Sequence, residues 1–179
     1  SELDQLEGYI GNYKGKVKQK GKTKEIEFGT IIVATGFREI ELKGEYEYGK
    51  NENILSQTEF EIKLKNNKLK EPKNVVIINC VGAMDKERPY CCRIGCGVSI
   101  KNAKLISQKY PKSKIYMLYR DMRVFGKEEE EYYAEVLKKH HVTMIRYPGD
   151  NKPEIILNKK DPKKGPISVK VFDDILNEE

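Results

Sequence analysis

The sequence predicts an α/β fold: a Rossmann-like three-layer domain on a parallel sheet, preceded by an N-terminal β-ribbon. Two observations carry this. From Pro72 onward, short apolar runs rich in β-branched residues alternate with helix-type segments in the order β-α-β-α-β. All four cysteines, Cys80, Cys91, Cys92 and Cys96, fall in the loop between the first of these strands and the next helix. In open α/β folds that loop, outside the carboxyl end of a strand, is where ligands bind.

The elements follow in order. Residues 1–28 give two strand signals, EGYIGNYKGKVKQ and KEIEFG, joined by the turn-like KGKTK. A two-stranded ribbon fits them, with Gly8, Gly11 and Gly15 allowing bends. TIIVATGFREIE (30–41) reads as a buried strand ending at Ala34-Thr35-Gly36. Residues 39–72 are mixed and polar and read as a connector with one short helix near 56–65. The regular alternation then begins: strand 74–79, the cysteine loop, helix 97–109, strand 114–120, helix 126–141 and strand 142–147. Acids open the second of these helices and Lys138, Lys139 and His140 close it, as the macrodipole favours. Two short strands, 154–158 and 167–174, flank the turn KKDPKKGP. The expected organisation is therefore 1–38, 39–72 and 73–179, the last being the nucleotide-fold domain.

Composition limits the function classes. The net charge is +6, from 34 basic and 28 acidic residues. The lysines are scattered and no recognition motif accompanies them, so a solvated face is expected and no nucleic-acid partner. No apolar run approaches the ~20 residues needed to span a bilayer, so no membrane span is expected. There is no signal-peptide pattern, and the first residue is Ser rather than Met, which points to a cut or processed chain. Secreted disulfide scaffolds spread their cysteines along a small chain; four in one α/β loop point instead to a reducing, cytoplasmic setting.

The cysteine spacing leaves three readings open. Cys80-x10-Cys91-Cys92-x3-Cys96 contains no CxxC pair, so it is not a zinc-finger pattern. Adjacent cysteines rarely serve one tetrahedral zinc, whereas a four-iron cluster offers separate iron corners. An iron–sulfur site, free or redox-active thiols, and zinc stand in that order. Lys86, Arg88 and Arg93 could offset the charge of thiolates. Cys80 closes a strand, and Cys96 stands at a helix entrance, where the dipole is expected to favour the thiolate. Gly82, Gly95 and Gly97 do not form GxGxxG, but a phosphate could approach the helix start near Gly97 and Ser99. Arg120 and Arg123 follow the second strand, where arginine suits a ribose 2′-phosphate; exposed surface arginines are the competing reading. His140 and His141 read as structural, and one of Tyr132 and Tyr133 as core.

Taken together, TIIVATGF, YGKNENILSQTEFE, VVIINCVGAMDKERPYCCRIGCGVSIKNAKLI and IYMLYRDMRVFGKEEEEYYAE resemble the A subunit of heterodisulfide reductase. That family is a flavoprotein of the pyridine nucleotide–disulfide oxidoreductase class. The resemblance implies FAD in the parent protein, with Ala34, Thr35 and Gly36 at the flavin. It also implies a 4Fe-4S cluster, electron transfer to other heterodisulfide reductase-type subunits, and leaves room for NAD(P). It makes residues 1–38 a flavin-domain remnant and residues 39–179 the inserted nucleotide-binding domain, so the chain reads as a fragment. The family's N-terminal GxGxxG is missing, and KQKGKTKEIE stands where a ferredoxin insertion often lies. The family loop usually reads Tyr-Cys-Ser-Arg-x-Cys-Cys; here it is Tyr90-Cys91-Cys92-Arg93-Ile94-Gly95-Cys96. Cys80, Cys91 and Cys96 carry over, Gly95 replaces a cysteine, and Cys92 would have to supply its sulfur. The expected function is a piece of an electron-transfer flavoprotein. A nucleotide-fold docking or metal-binding module and a thiol–disulfide reductase domain are the alternatives, and the unpaired ribbon edge invites a homo-oligomer of the fragment.

Overall fold

The computed structural model describes residues 1–42 and 44–179. It divides into two compact units, Ser1–Arg38 and Glu39–Glu179.

The first unit is an antiparallel meander of β1 (Glu2–Tyr9), β2 (Asn12–Gln19) and β3 (Lys22–Phe28). Three strands form where the sequence predicted two. The signal EGYIGNYKGKVKQ is split by the turn at Ile10-Gly11, and β1 pairs along its length with β2, from Glu2↔Lys18 to Tyr9↔Asn12. Gly8 and Gly11 flank the first turn at positive φ, 98° and 91°. Gly15 is not a bend: it sits mid-strand in β2, where a Cβ would come 3.0 Å from the Phe28 ring. The expected buried strand at 30–41 does not form. Residues 30–38 carry no strand pairing, and Ile32 and Val33 are 88% and 79% exposed. An apolar β-branched run becomes a strand only with a neighbour to accept its ladder, and the three-strand meander closes at Phe28 without it.

The second unit is α/β. Helix α1 (Gln57–Lys65) begins at a capping box: Ser56 Oγ accepts from the Glu59 N–H at 3.3 Å, and the Ser56 N–H donates to Glu59 Oε2 at 2.9 Å. The Glu39 carboxylate adds to this start, accepting from the Thr58 N–H and the Ser56 hydroxyl. Residues 39–72 are thus tied in at several points. Asn51, 4% exposed, donates through its amide to the carbonyls of Pro162 and Gly165.

A parallel sheet follows, in the order β4 (Asn74–Ile78), β5 (Lys114–Tyr119), β6 (Val142–Arg146). Val75 pairs with Ile115, and Ile115 with Val142. The crossovers are α2 (Gly95–Lys109) and α3 (Glu129–His140). Cys96, Ser99, Ile100, Ala103 and Ile106 are buried along α2, at the i, i+3, i+4, i+7 spacing of one helix face. Ile77, Ile115, Met117 and Val142 from the sheet meet Ile100, Ala103, Ile106 and Val136 in one core. Tyr132 and Tyr133 both pack against it, where the sequence reading assigned one. The second helix starts three residues later than expected, because Glu128 turns left-handed at φ 64°. His140 Nδ1 lies 3.0 Å from Ser107 Oγ, a structural contact. The hairpin β7 (Glu154–Leu157) and β8 (Ile167–Lys170) completes the unit. Among the described residues no helix is long and apolar enough to cross a membrane.

Candidate functional site

Parallel strands all end on the same edge of a sheet, so the residues that follow β4, β5 and β6 must meet there. These are Asn79-Cys80, Arg120-Asp121 and Tyr147. The Asn79 N–H bonds the Leu118 carbonyl at 2.9 Å and the Tyr147 N–H bonds the Tyr119 carbonyl at 2.9 Å, extending both ladders past the strands. The Tyr147 hydroxyl then donates to the Asn79 carbonyl at 2.6 Å. Tyr147 is 2% exposed, so this bond is shielded from water.

Just beyond it the backbone turns sharply. Cys80, Gly82 and Met84 have φ of 63°, 64° and 57°. For residues other than glycine this left-handed geometry costs about 1–2 kcal/mol each and must be held by its surroundings. Arg120 does much of the holding. Its guanidinium donates to the Met84 carbonyl and, at 3.5 Å, to that of Ala83. Arg88 reaches the Gly82 carbonyl at 3.4 Å. The Asp85 carboxylate accepts from the N–H groups of Arg88 and Glu87 at 2.7 and 3.0 Å, and these two bonds hold it below the usual carboxylate range despite some desolvation.

The Cys96 thiol lies within electrostatic range of Cys80, Cys91 and Cys92. Cys96 is buried, Cys80 and Cys91 are half-buried and Cys92 is exposed. Backbone N–H groups point at three of them. Arg93 donates to Cys91 at 3.3 Å, Gly95 to Cys92 at 3.3 Å and Arg123 to Cys96 at 3.4 Å. The Cys96 thiol in turn donates to the Asp121 carbonyl at 3.7 Å. The backbone of residues 121–123 therefore lies against the Cys96 sulfur.

Burial pushes the Cys80 and Cys96 thiols up, against the N–H bonds that would lower them. The expectation that the helix dipole makes Cys96 a ready thiolate is thus corrected: desolvation at a buried sulfur outweighs it. A cation at the site would reverse that balance, since a coordinated thiol loses its proton outright. Among the described residues no three of His, Cys, Asp and Glu gather tightly enough for a single metal ion. A four-iron cluster spreads its four thiolates around a larger body than one ion, and hydrogen bonds to sulfur are a feature of such sites. The donor set here, four cysteine sulfurs with three backbone N–H groups on them, is of the chemistry that group takes.

The remaining candidates fall as follows. Arg120 faces the cysteine loop, and Arg123 pairs with Asp121 at 3.2 Å on the surface. These two arginines are the cations that act on Cys80 and Cys91. Of the cations assigned that role from sequence, Arg88 is engaged with Gly82 and the Arg93 side chain lies over the Phe125 ring at 5.2 Å. Gly97 opens onto free space at the start of α2. Ala34, Thr35 and Gly36 are exposed and belong to the other unit. Tyr147 is a site residue that the sequence does not single out. Tyr147 lies one residue past β6, so the sheet-edge rule alone could have found it.

Comparison with known proteins gives a consistent answer. The chain is 35% identical over 181 residues to the iron–sulfur A subunit of the CoB–CoM heterodisulfide reductase of Methanocaldococcus jannaschii, covering 92% of this chain and 27% of that protein. It is 38% identical over 150 residues to the A subunit of the H2:CoB–CoM heterodisulfide, ferredoxin reductase of Methanothermobacter marburgensis, covering 74% and 23%. Over most of its length the chain is similar to one segment of heterodisulfide reductase A subunits. It spans about a quarter of the length of the curated relatives it matches. No family model matches it. Against the family's loop pattern, the structure shows what surrounds the one departure. An ideal Cβ at Gly95 would lie 3.0 Å from the Cys92 sulfur.

Proposed function

We propose that this chain is a piece of a heterodisulfide reductase-type A subunit, and that its 80–96 loop holds a 4Fe-4S cluster through Cys80, Cys91, Cys92 and Cys96. What supports the reading is the placement of all four cysteines in the loop and helix start that follow β4 of a parallel sheet, three of them met by a backbone N–H. When bound, such a cluster takes up and releases single electrons. The chain's own residues fix the site. Tyr147 and Arg120 hold the strained turn at Cys80, Arg123 presents its N–H to the Cys96 sulfur, and Arg120 and Arg123 offset thiolate charge. The Glu39–Glu179 unit is on this reading a Rossmann-like domain, since its β4-β5-β6 order matches half of that sheet. The parent would carry FAD, with Ala34-Thr35-Gly36 at the flavin, and would pass electrons to other subunits of a soluble, cytoplasmic complex.

The test is anaerobic loading of the chain with iron and sulfide. A broad absorption near ~400 nm with about four irons per chain is expected for a thiolate-bound four-iron centre. Cys80→Ser should abolish it. Retention of zinc alone, or no uptake with the fold intact, would overturn the reading.

A further inference from the structure

We infer that positions 92 and 95 are interchangeable sources of one sulfur, and that in this chain Cys92 delivers from the loop the ligand that a cysteine at 95 would deliver from the helix. The inference rests on the cluster reading above. Its ground is a coincidence of position. A Cβ built at Gly95 meets a single atom within 4 Å, the Cys92 Sγ, at 3.0 Å. A cysteine sulfur at 95 would lie one bond beyond that Cβ, and even the Cβ is too close for the Cys92 sulfur to stay where it is. The two side chains therefore compete for one place, and a residue with no side chain at 95 is what lets the Cys92 thiol occupy it.

The local bonding agrees. The Gly95 N–H donates to the Cys92 sulfur at 3.3 Å, so the backbone of 95 is already a hydrogen-bond partner of the thiol. Gly95 is the first residue of α2, directly before the buried Cys96. Cys92 is the exposed member of the four, on the solvent side of the group, where a loop residue can adjust to close the site. Gly95 is not needed for a left-handed backbone, because it is not among the positive-φ glycines. Close approach by sulfur is the reason for glycine that the structure offers.

The test uses four forms of the full chain, each loaded anaerobically with iron and sulfide and each checked by far-UV circular dichroism. Iron per chain and the visible spectrum are read. The unsubstituted chain should load. Cys92→Ser should lose the four-iron spectrum. The double variant Cys92→Ser/Gly95→Cys should regain it, and Cys92→Ser/Ile94→Cys should not, because Ile94 adds a thiol from the wrong place. If the unsubstituted chain fails to load, the cluster reading itself falls and this inference with it. If it loads and Cys92→Ser keeps the same iron and spectrum, Cys92 is not a ligand and only the inference is overturned. Failure of the Gly95→Cys rescue in a folded chain, or equal rescue by Ile94→Cys, also overturns it.

Discussion

Replacing Tyr147 with Phe removes one oxygen and tests how the strained turn at Cys80 is held. The ring stays, so apolar burial is nearly unchanged. The loss is the hydroxyl's 2.6 Å bond to the Asn79 carbonyl, at a residue only 2% exposed. A buried carbonyl left without that donor costs about 1–3 kcal/mol. For a chain of this size each kcal/mol moves the melting temperature by roughly 2–4 °C, so a drop of roughly 2–12 °C is expected. The effect has a pH signature. Burial, followed by the neighbouring Tyr46, pushes the Tyr147 hydroxyl well above its ordinary range. The native state then holds this proton more tightly than the unfolded chain does. Stability from this group is complete below the unfolded tyrosine value of about 10 and falls as pH rises above it. The Phe variant lacks that alkaline decline, so the gap between the two proteins should narrow above pH ~10. Thermal melts at stepped pH values measure both effects. An unchanged melting temperature at neutral pH, or a gap that widens in alkali, would refute the account of Tyr147 as a clamp on Asn79.

Two further outcomes follow from the unloaded site. Alkylation mapped by mass spectrometry should modify exposed Cys92 first and Cys80 and Cys96 last. Because burial raises the latter two thiols, their rates should go on climbing with pH above about 8.5, where an ordinary thiol is half ionised; early plateaus would contradict the desolvation argument. Arg120→Met should free the carbonyls of Ala83 and Met84, cost about 1.5–3 kcal/mol at most, and speed both proteolysis within residues 82–93 and labelling of Cys80. A melting temperature and a cleavage pattern like those of the unsubstituted chain would show that the guanidinium does not hold the loop.

The second unit was legible in the sequence because its elements are locally determined. NVVII, KIYMLY and VTMIR are β-branched or aromatic runs of strand length, and the stripe Cys96, Ile100, Ala103, Ile106 has a helix period. TIIVATGF carries an equally good strand signal and forms none, because a strand signal states what a segment would do beside a partner, and no described residue pairs with it. The same distinction explains the site. Cysteine clustering is a property of the chain and could be counted. The direction of the thiol pKa shifts is a property of burial, and it ran against the dipole argument. Read from the sequence through its side chain, Arg123 is a 2′-phosphate contact or a surface arginine, whereas its backbone N–H meets Cys96. Any residue can supply a backbone N–H, so spacing and residue type carry no trace of it; only the parallel order of β4, β5 and β6 does. Strand order brings residues 79–80, 120–123 and 147 to one edge. That edge, more than the cysteine pattern alone, supports the loop as a candidate site, because it places the turn at Cys80, the Tyr147 and Arg120 groups that hold it, and the Arg123 donor to Cys96 on one frame.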